Sequence, residues 1–173
     1  MKKVLKFAGA FAFVLALVAF ILLMATKGVT FKYEGALATL SGEADGTTVL
    51  FGKTEHTVLG DVVTKAAPMA LIGWILVIVA MVALLAGVVL PLVKKDSAKL
   101  AGVLNMAAAL LLVVAGVLLF FTVLSFTGAN KVDSDAVKYY HLGAGWVVAA
   151  ILALLGGVVA LLPACVDFLG KKK

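Results

Sequence analysis

PMALIGWILVIVAMVALLAGVVLPLV, Pro68–Val93, is a stretch of 26 residues without a single charged or strongly polar side chain. A helix needs about 20 apolar residues to cross the hydrocarbon layer of a bilayer, and only a helix satisfies all of its own backbone hydrogen bonds there. Working outward, three more long, predominantly apolar runs occupy residues 7–26, 100–127 and 142–169. The fold class expected is therefore an all-α membrane protein, a bundle of four transmembrane helices built as two hairpins. The only large insertion is an outer loop at 27–67 between the first and second spans.

Composition agrees with this and excludes other classes. The chain has 173 residues, of which 64% are hydrophobic and 14% charged. Soluble domains have nearer half and a quarter. All 15 basic residues are lysine, so the two-pronged guanidinium fork that favours phosphate and carboxylate is absent. Nucleic acid is not an expected partner; the lipid bilayer is, with lysines at helix ends reaching the headgroups. Cys165 is the single cysteine, which excludes an intramolecular disulfide. It is read as an inert apolar residue.

Lysines also set the expected orientation. Lys2, Lys3 and Lys6 precede the first span, Lys94, Lys95 and Lys99 fill the tight second connection, and Lys171, Lys172 and Lys173 close the chain. An even number of crossings puts all three clusters on one side, which the positive-inside rule makes cytoplasmic. The protein is thus expected in the plasma membrane with both termini in the cytoplasm. Tyr33, Trp74, Tyr139, Tyr140 and Trp146 comprise every Trp and Tyr, and all fall near outer span ends, where amphipathic rings favour the interface. The basic start followed by an apolar run also describes a signal peptide. The run is longer than a typical signal core and small residues are poorly placed for cleavage around Met24, Ala25 and Thr26, so a retained helix is expected.

A faint duplication runs through the chain. Lys6-Phe7-Ala8-Gly9 is echoed by Lys99-Leu100-Ala101-Gly102, and Gly73-Trp74 by Gly145-Trp146. Trp146 follows Trp74 by 72 positions and Pro163 follows Pro91 by the same 72, whereas Lys99 follows Lys6 by 93. The 21 extra residues of the first half fall in the outer loop. Both hairpins start on the same side, so the repeat is parallel, with its pseudo-twofold axis along the membrane normal.

Lipid tails are as apolar as leucine, so helices in a bilayer associate through close backbone approach at small residues. The expected packing surfaces are Ala8, Ala12 and Ala16 in the first span, Ala83 and Gly87 in the second, and Gly145, Ala149, Ala153 and Gly157 in the fourth. Such ridges pack the four helices together, or one of them faces a second subunit. Asn105 is the one strongly polar residue near mid-span and is expected to hydrogen-bond to a neighbouring helix.

In the loop at 27–67, Val29, Phe31 and Tyr33 alternate with Thr30, Lys32 and Glu34, the two-residue period of a strand. Asp45-Gly46 reads as a hairpin turn between this region and further strands at 47–51 and 54–58. A small extracellular antiparallel sheet of roughly two to four strands follows, which must lean on other elements because a lone ribbon is marginal in water. The second loop, 128–141, reads as a solvated turn.

No charge lies deep in a span, no ligand spacing accompanies His56 or His141, and no nucleophile stands beside a base and an orienter. Neither an enzyme nor a cofactor or metal site is expected. The order helix, outer sheet, helix, tight turn, helix, short loop, helix is similar to that of claudin-like tetraspans. The outer-loop tryptophan motif and paired cysteines of that family are absent, so the resemblance implies an arrangement and no residue role. The function expected is a structural or interaction role in the cell envelope, with self-association through ridges and sheet. A small oligomeric pore lined by Gly, Ala, Asn105 and Thr122, or an accessory subunit of a larger membrane complex, are the alternatives.

Overall fold

The computed structural model describes residues 7–34, 39–57, 60–93 and 98–170, the side chains of 60, 98 and 164–170 excepted. Four of its helices are long and apolar enough to cross a membrane. They are α1 (Ala8–Ala25), α3 (Pro68–Val93), α4 (Ala98–Phe120) and α7 (Ala144–Gly170). Around the bundle the neighbours run α1, α3, α4, α7 and back to α1. The end of the bundle where α1 stops and α3 begins carries all the strands and is called the sheet end below. The lysine clusters at 2–6, 94–95 and 171–173, like the Cys165 and Asp167 side chains, lie outside the described residues.

Spans one and two match their expected positions closely. The third does not run straight to Thr127: it breaks at Phe121, where the backbone N–H reaches the Leu118 carbonyl three residues back, and resumes as α5 (Thr122–Ala129). Leu119, Thr122 and Phe126, spaced three and four apart, all face inward, so the break leaves the buried side of the chain continuous. The fourth helix begins at Ala144 because Leu142, expected to open it, belongs to a strand.

At the sheet end, β1 (Lys27–Glu34) pairs antiparallel with β2 (Thr39–Asp45), Val29 opposite Ala44 and Tyr33 opposite Leu40. On its other side β1 pairs with β5 (Tyr140–Leu142), Val29 opposite Leu142. The second loop therefore supplies a strand, completing a three-stranded sheet in the order β2-β1-β5. A separate ribbon is formed by β3 (Lys53–Thr57) and β4 (Gly60–Thr64), with Glu55 opposite Val62. A one-turn helix, α6 (Ser134–Val137), precedes β5.

The expected turn at Asp45-Gly46 is not a hairpin. Asp45 ends β2 in an extended conformation and Gly46 opens a short helix, α2 (Gly46–Phe51), where a strand was expected from its β-branched residues. Burial overrides propensity here. Helical spacing turns Val49 and Leu50, both fully buried, down onto the end of the bundle beside Leu23 and Trp146. Burying such side chains stabilises by about 1.5–3 kcal/mol each, more than the fraction of a kcal/mol that propensity controls.

Two buried clusters divide the interior. One lies at the sheet end and joins Leu23, Val29, Leu50, Leu119, Phe126 and Trp146. The other fills the rest of the bundle and is mostly alanine: Ala12, Ala16, Ala80, Ala108, Ala109, Ala115, Ala153 and Ala160, with Val77, Leu84 and Leu112. Small side chains there allow the close helix approach that van der Waals packing in lipid requires.

Candidate functional site

Glycines fasten the sheet to the helices. A Cβ at Gly46 would stand 1.9 Å from the Leu23 carbonyl oxygen, and one at Gly143 1.9 Å from that of Lys27. Gly28 fits between Val49 and Trp146, and Gly145 against Thr26. The Gly46 N–H donates to the Thr26 carbonyl and the Gly143 N–H to that of Gly28, each at 2.9 Å. Main chain thus packs on main chain where α1 passes into β1 and β5 into α7. The base of the sheet is an extension of the bundle.

The ribbon is fastened differently. Asn130, at the end of α5, accepts from the Lys65 N–H through its side-chain oxygen at 2.7 Å and donates back to the Lys65 carbonyl at 3.1 Å. Its amide also donates to the Phe126 carbonyl at 2.9 Å. One side chain therefore imitates a pairing strand. The Ser125 hydroxyl accepts from the Met69 N–H at 3.1 Å, satisfying a donor in the first turn of α3. No feature of the sequence alone links residues 65 and 130.

Beyond these fastenings both structures stand in solvent. The sheet carries a polar groove of about 590 Å³ lined by Lys27, Thr30, Phe31, Lys32, Ser41, Gly42, Glu43 and His141. Lys27 pairs with Glu43 and lies 3.7 Å from Asp45; Lys32 and Glu34 are 2.5 Å apart, and Lys53 and Glu55 2.8 Å. Hydrogen bonds from Lys32 and Lys53 hold the Glu34 and Glu55 carboxyls below the ordinary glutamate range. Those glutamates push Lys32 and Lys53 up, and Glu43 does the same for Lys27. His56 Nδ1 is 2.6 Å from Asp61 across the ribbon. All these groups are exposed, so each pair contributes little. Leu40 on β2 and Val62 and Val63 on β4 are more than half exposed. Among the described residues no group of three or more His, Cys, Asp or Glu is placed to hold a metal ion.

The expected interface aromatics have different fates. Tyr33 is exposed and meets Tyr139 edge-on, ring centroids 4.9 Å apart, while Tyr140 packs on Phe31 at 5.0 Å. Trp74 is half-buried, stacked on Phe20 at 5.9 Å and met edge-on by Phe51 at 5.4 Å. Trp146, placed by its position at an interface, is instead fully buried in the centre of the sheet-end cluster. The sheet and α2 roof over that end of the bundle, so an end-of-span tryptophan becomes core. Its indole N–H and that of Trp74 have no hydrogen-bond partner among the described residues, nor has the buried Thr122 hydroxyl.

Most of the expected ridge residues lie inside the chain. Ala12, Ala16, Ala149 and Ala153 are fully buried, Ala8, Gly87 and Gly157 are buried, and Ala83 and Gly145 are half-buried. Asn105 lies where α1, α3 and α4 meet: a Cβ on Gly87 would stand 2.5 Å from its side-chain oxygen and one on Gly9 3.3 Å. That oxygen is buried and accepts no hydrogen bond from the described residues. The two glycines make room for the amide, a relation across three helices that a linear pattern does not display.

Glycine placement also sets how tightly the helices meet. Gly73 and Gly87 on α3 face the Ala115 and Ala101 carbonyls of α4, Gly116 and Gly157 join α4 to α7, and Gly156 joins α7 to Ala12 of α1. Between α1 and α3, among the described residues, Gly9 meets the Val88 side chain and no glycine is placed against backbone. This is the loosest of the four seams, and an apolar groove of about 300 Å³ opens along it, lined by Phe13, Phe20, Ile78, Met81, Val82 and Leu85.

No protein-family model matches this chain, and no curated protein shows significant similarity to it.

Proposed function

We propose that the protein is a non-enzymatic, multi-pass constituent of the cell envelope, spanning the plasma membrane with both termini in the cytoplasm and offering its sheet and ribbon as an outer contact surface. The observation that carries this reading is the contrast between the two ends of each strand pair. The bases of β1 and β5 are held to the helices by backbone contacts at Gly46 and Gly143, while among the described strands β2 pairs on one side only, and β2 and β4 carry exposed apolar side chains. Free edges attract further strands. A rigid mount under an unpartnered edge suits recognition of a protein surface.

Self-association is the proposed mode. The helix ridges are largely occupied within one chain, so the contact between copies falls to the outer face. In the ring order α1, α3, α4, α7, a twofold operation exchanges the two hairpins, as a parallel duplication of one hairpin would give. A pore between copies would need Asn105 and Thr122 at a subunit boundary. Asn105 lies against Gly9 and Gly87 of its own chain and Thr122 is fully buried, so the contact reading is the better supported.

Crosslinking on intact cells through cysteines substituted at Leu40 and Val62, combined with native mass analysis, tests the proposal. Crosslinked copies, or one reproducible partner, support it. A monomer with no crosslinked species removes it.

A further inference from the structure

Three of the four helix seams are closed by glycine against backbone; the seam between α1 and α3 is not, and a groove remains there. Its walls are apolar from end to end, built by Phe13 and Phe20 on one side and Ile78, Met81, Val82 and Leu85 on the other. Val82 and Leu85 are 64% and 51% exposed, so the groove opens outward from the bundle and not into it. In water an open apolar groove of this kind would be costly. In a membrane something of matching chemistry covers it.

The depth of the groove identifies that occupant. At 1.5 Å per residue, Phe20 lies about 7.5 Å and Phe13 about 18 Å below the end of α1. With a hydrocarbon layer about 30 Å thick, the groove runs from just under the sheet-side headgroups to near the midplane, along the membrane normal. That is the path of one acyl chain of the sheet-side leaflet. A volume of about 300 Å³ takes on the order of ten methylenes, each near the ~30 Å³ of a liquid water. A helix from a second copy fits less well: close helix approach in lipid needs small residues, and neither glycine nor alanine lines this groove. At the top, Trp74 stacks on Phe20 one turn above Ile78 and closes the upper end of the groove with a flat aromatic surface.

We infer that the α1–α3 seam is a lipid site, holding a single acyl chain of a sheet-side phospholipid in register with the bundle. This inference rests on the membrane-spanning reading above. The site would complete the packing that the first hairpin lacks, since α4 and α7 meet through Gly116 and Gly157 and need no such filler.

Native mass analysis of the full chain, released from nanodiscs of 1-palmitoyl-2-oleoyl phosphatidylglycerol and phosphatidylcholine, tests it. The expected result is one retained phospholipid per chain. Val82→Trp should fill the groove and lower that occupancy about tenfold, as should Leu85→Phe. Leu110→Trp, on an exposed position of α4 outside the groove, should leave it unchanged. Val82 and Leu85 are more than half exposed, so these changes do not disturb the core, and far-UV circular dichroism checks that they fold. No retained lipid on the wild type, equal retention in all variants, or a dimer that Val82→Trp dissociates would each overturn the site while leaving the membrane reading intact. Recovery of the chain in a detergent-free soluble fraction would overturn both.

Discussion

At Gly46 and Gly143 the main chain itself is the packing surface, and a single methyl group has nowhere to go. Each Cβ would fall within 2 Å of a carbonyl oxygen held by helix or strand. Overpacking of this kind costs about 1–3 kcal/mol, so Gly46→Ala and Gly143→Ala should each lower the thermal midpoint in detergent by several degrees. Gly102→Ala is the control: nothing lies within 4 Å of its Cβ, and the midpoint should stay or rise slightly. Asn105 offers a different residue-scale test. Its side-chain oxygen is buried without a hydrogen bond, at a cost of about 1–3 kcal/mol. Asn105→Leu would relieve that cost but must fit between Gly9 and Gly87, and Asn105→Ala, which removes the polar atom without adding bulk, should leave stability unchanged or improved in a thermal melt.

Among the elements, the ribbon is the least supported, since neither β3 nor β4 pairs with the sheet. Its attachment depends on the amide of Asn130 against the Lys65 backbone. Asn130→Ala should leave the four long helices intact and raise hydrogen exchange at residues 53–65 by tenfold or more, read by mass spectrometry. The charged pairs on the strands follow pH in a defined direction. Glu34 and Glu55 bind protons less readily folded than unfolded, so their contribution is complete at neutral pH and is lost as pH falls through their lowered folded values. The glutamate contribution to exchange in β1 and β3 should therefore be flat between pH 7 and 5 after correction for intrinsic rates. It should increase only below the ordinary glutamate value of about 4.3.

For the molecule as a whole, the bundle depends on alanine where a soluble core would use leucine. Ala153 is fully buried within the alanine-rich cluster. Ala153→Leu should push α7 away from its neighbours and lower stability in detergent by about 1–3 kcal/mol. The same substitution should not alter the mass of any assembly formed through the sheet, so a native mass measurement separates internal packing from contact between copies. Reagents that label cysteines from outside intact cells should reach substitutions at Leu40 and Val62 and fail to reach one placed after Lys173, which checks the proposed orientation.

Much of this architecture is legible in one dimension: a long run without charge must be helical in a bilayer, so the four apolar stretches could be read directly, and the alternation of Val29, Phe31 and Tyr33 marked the first strand. The small residues that pack helices were legible for the same reason. Relations between distant positions were not. Helix or strand at 46–51 was decided by the burial of Val49 and Leu50 against Leu23 and Trp146, which local propensity cannot register. The strand at Tyr140–Leu142, the Asn130 clamp on Lys65 and the glycine cradle of Asn105 join residues far apart in the chain. The α1–α3 groove exists because glycines close three seams and leave the fourth open. Periodicity along a chain records which medium each residue faces; which residue it meets is set only when the helices pack.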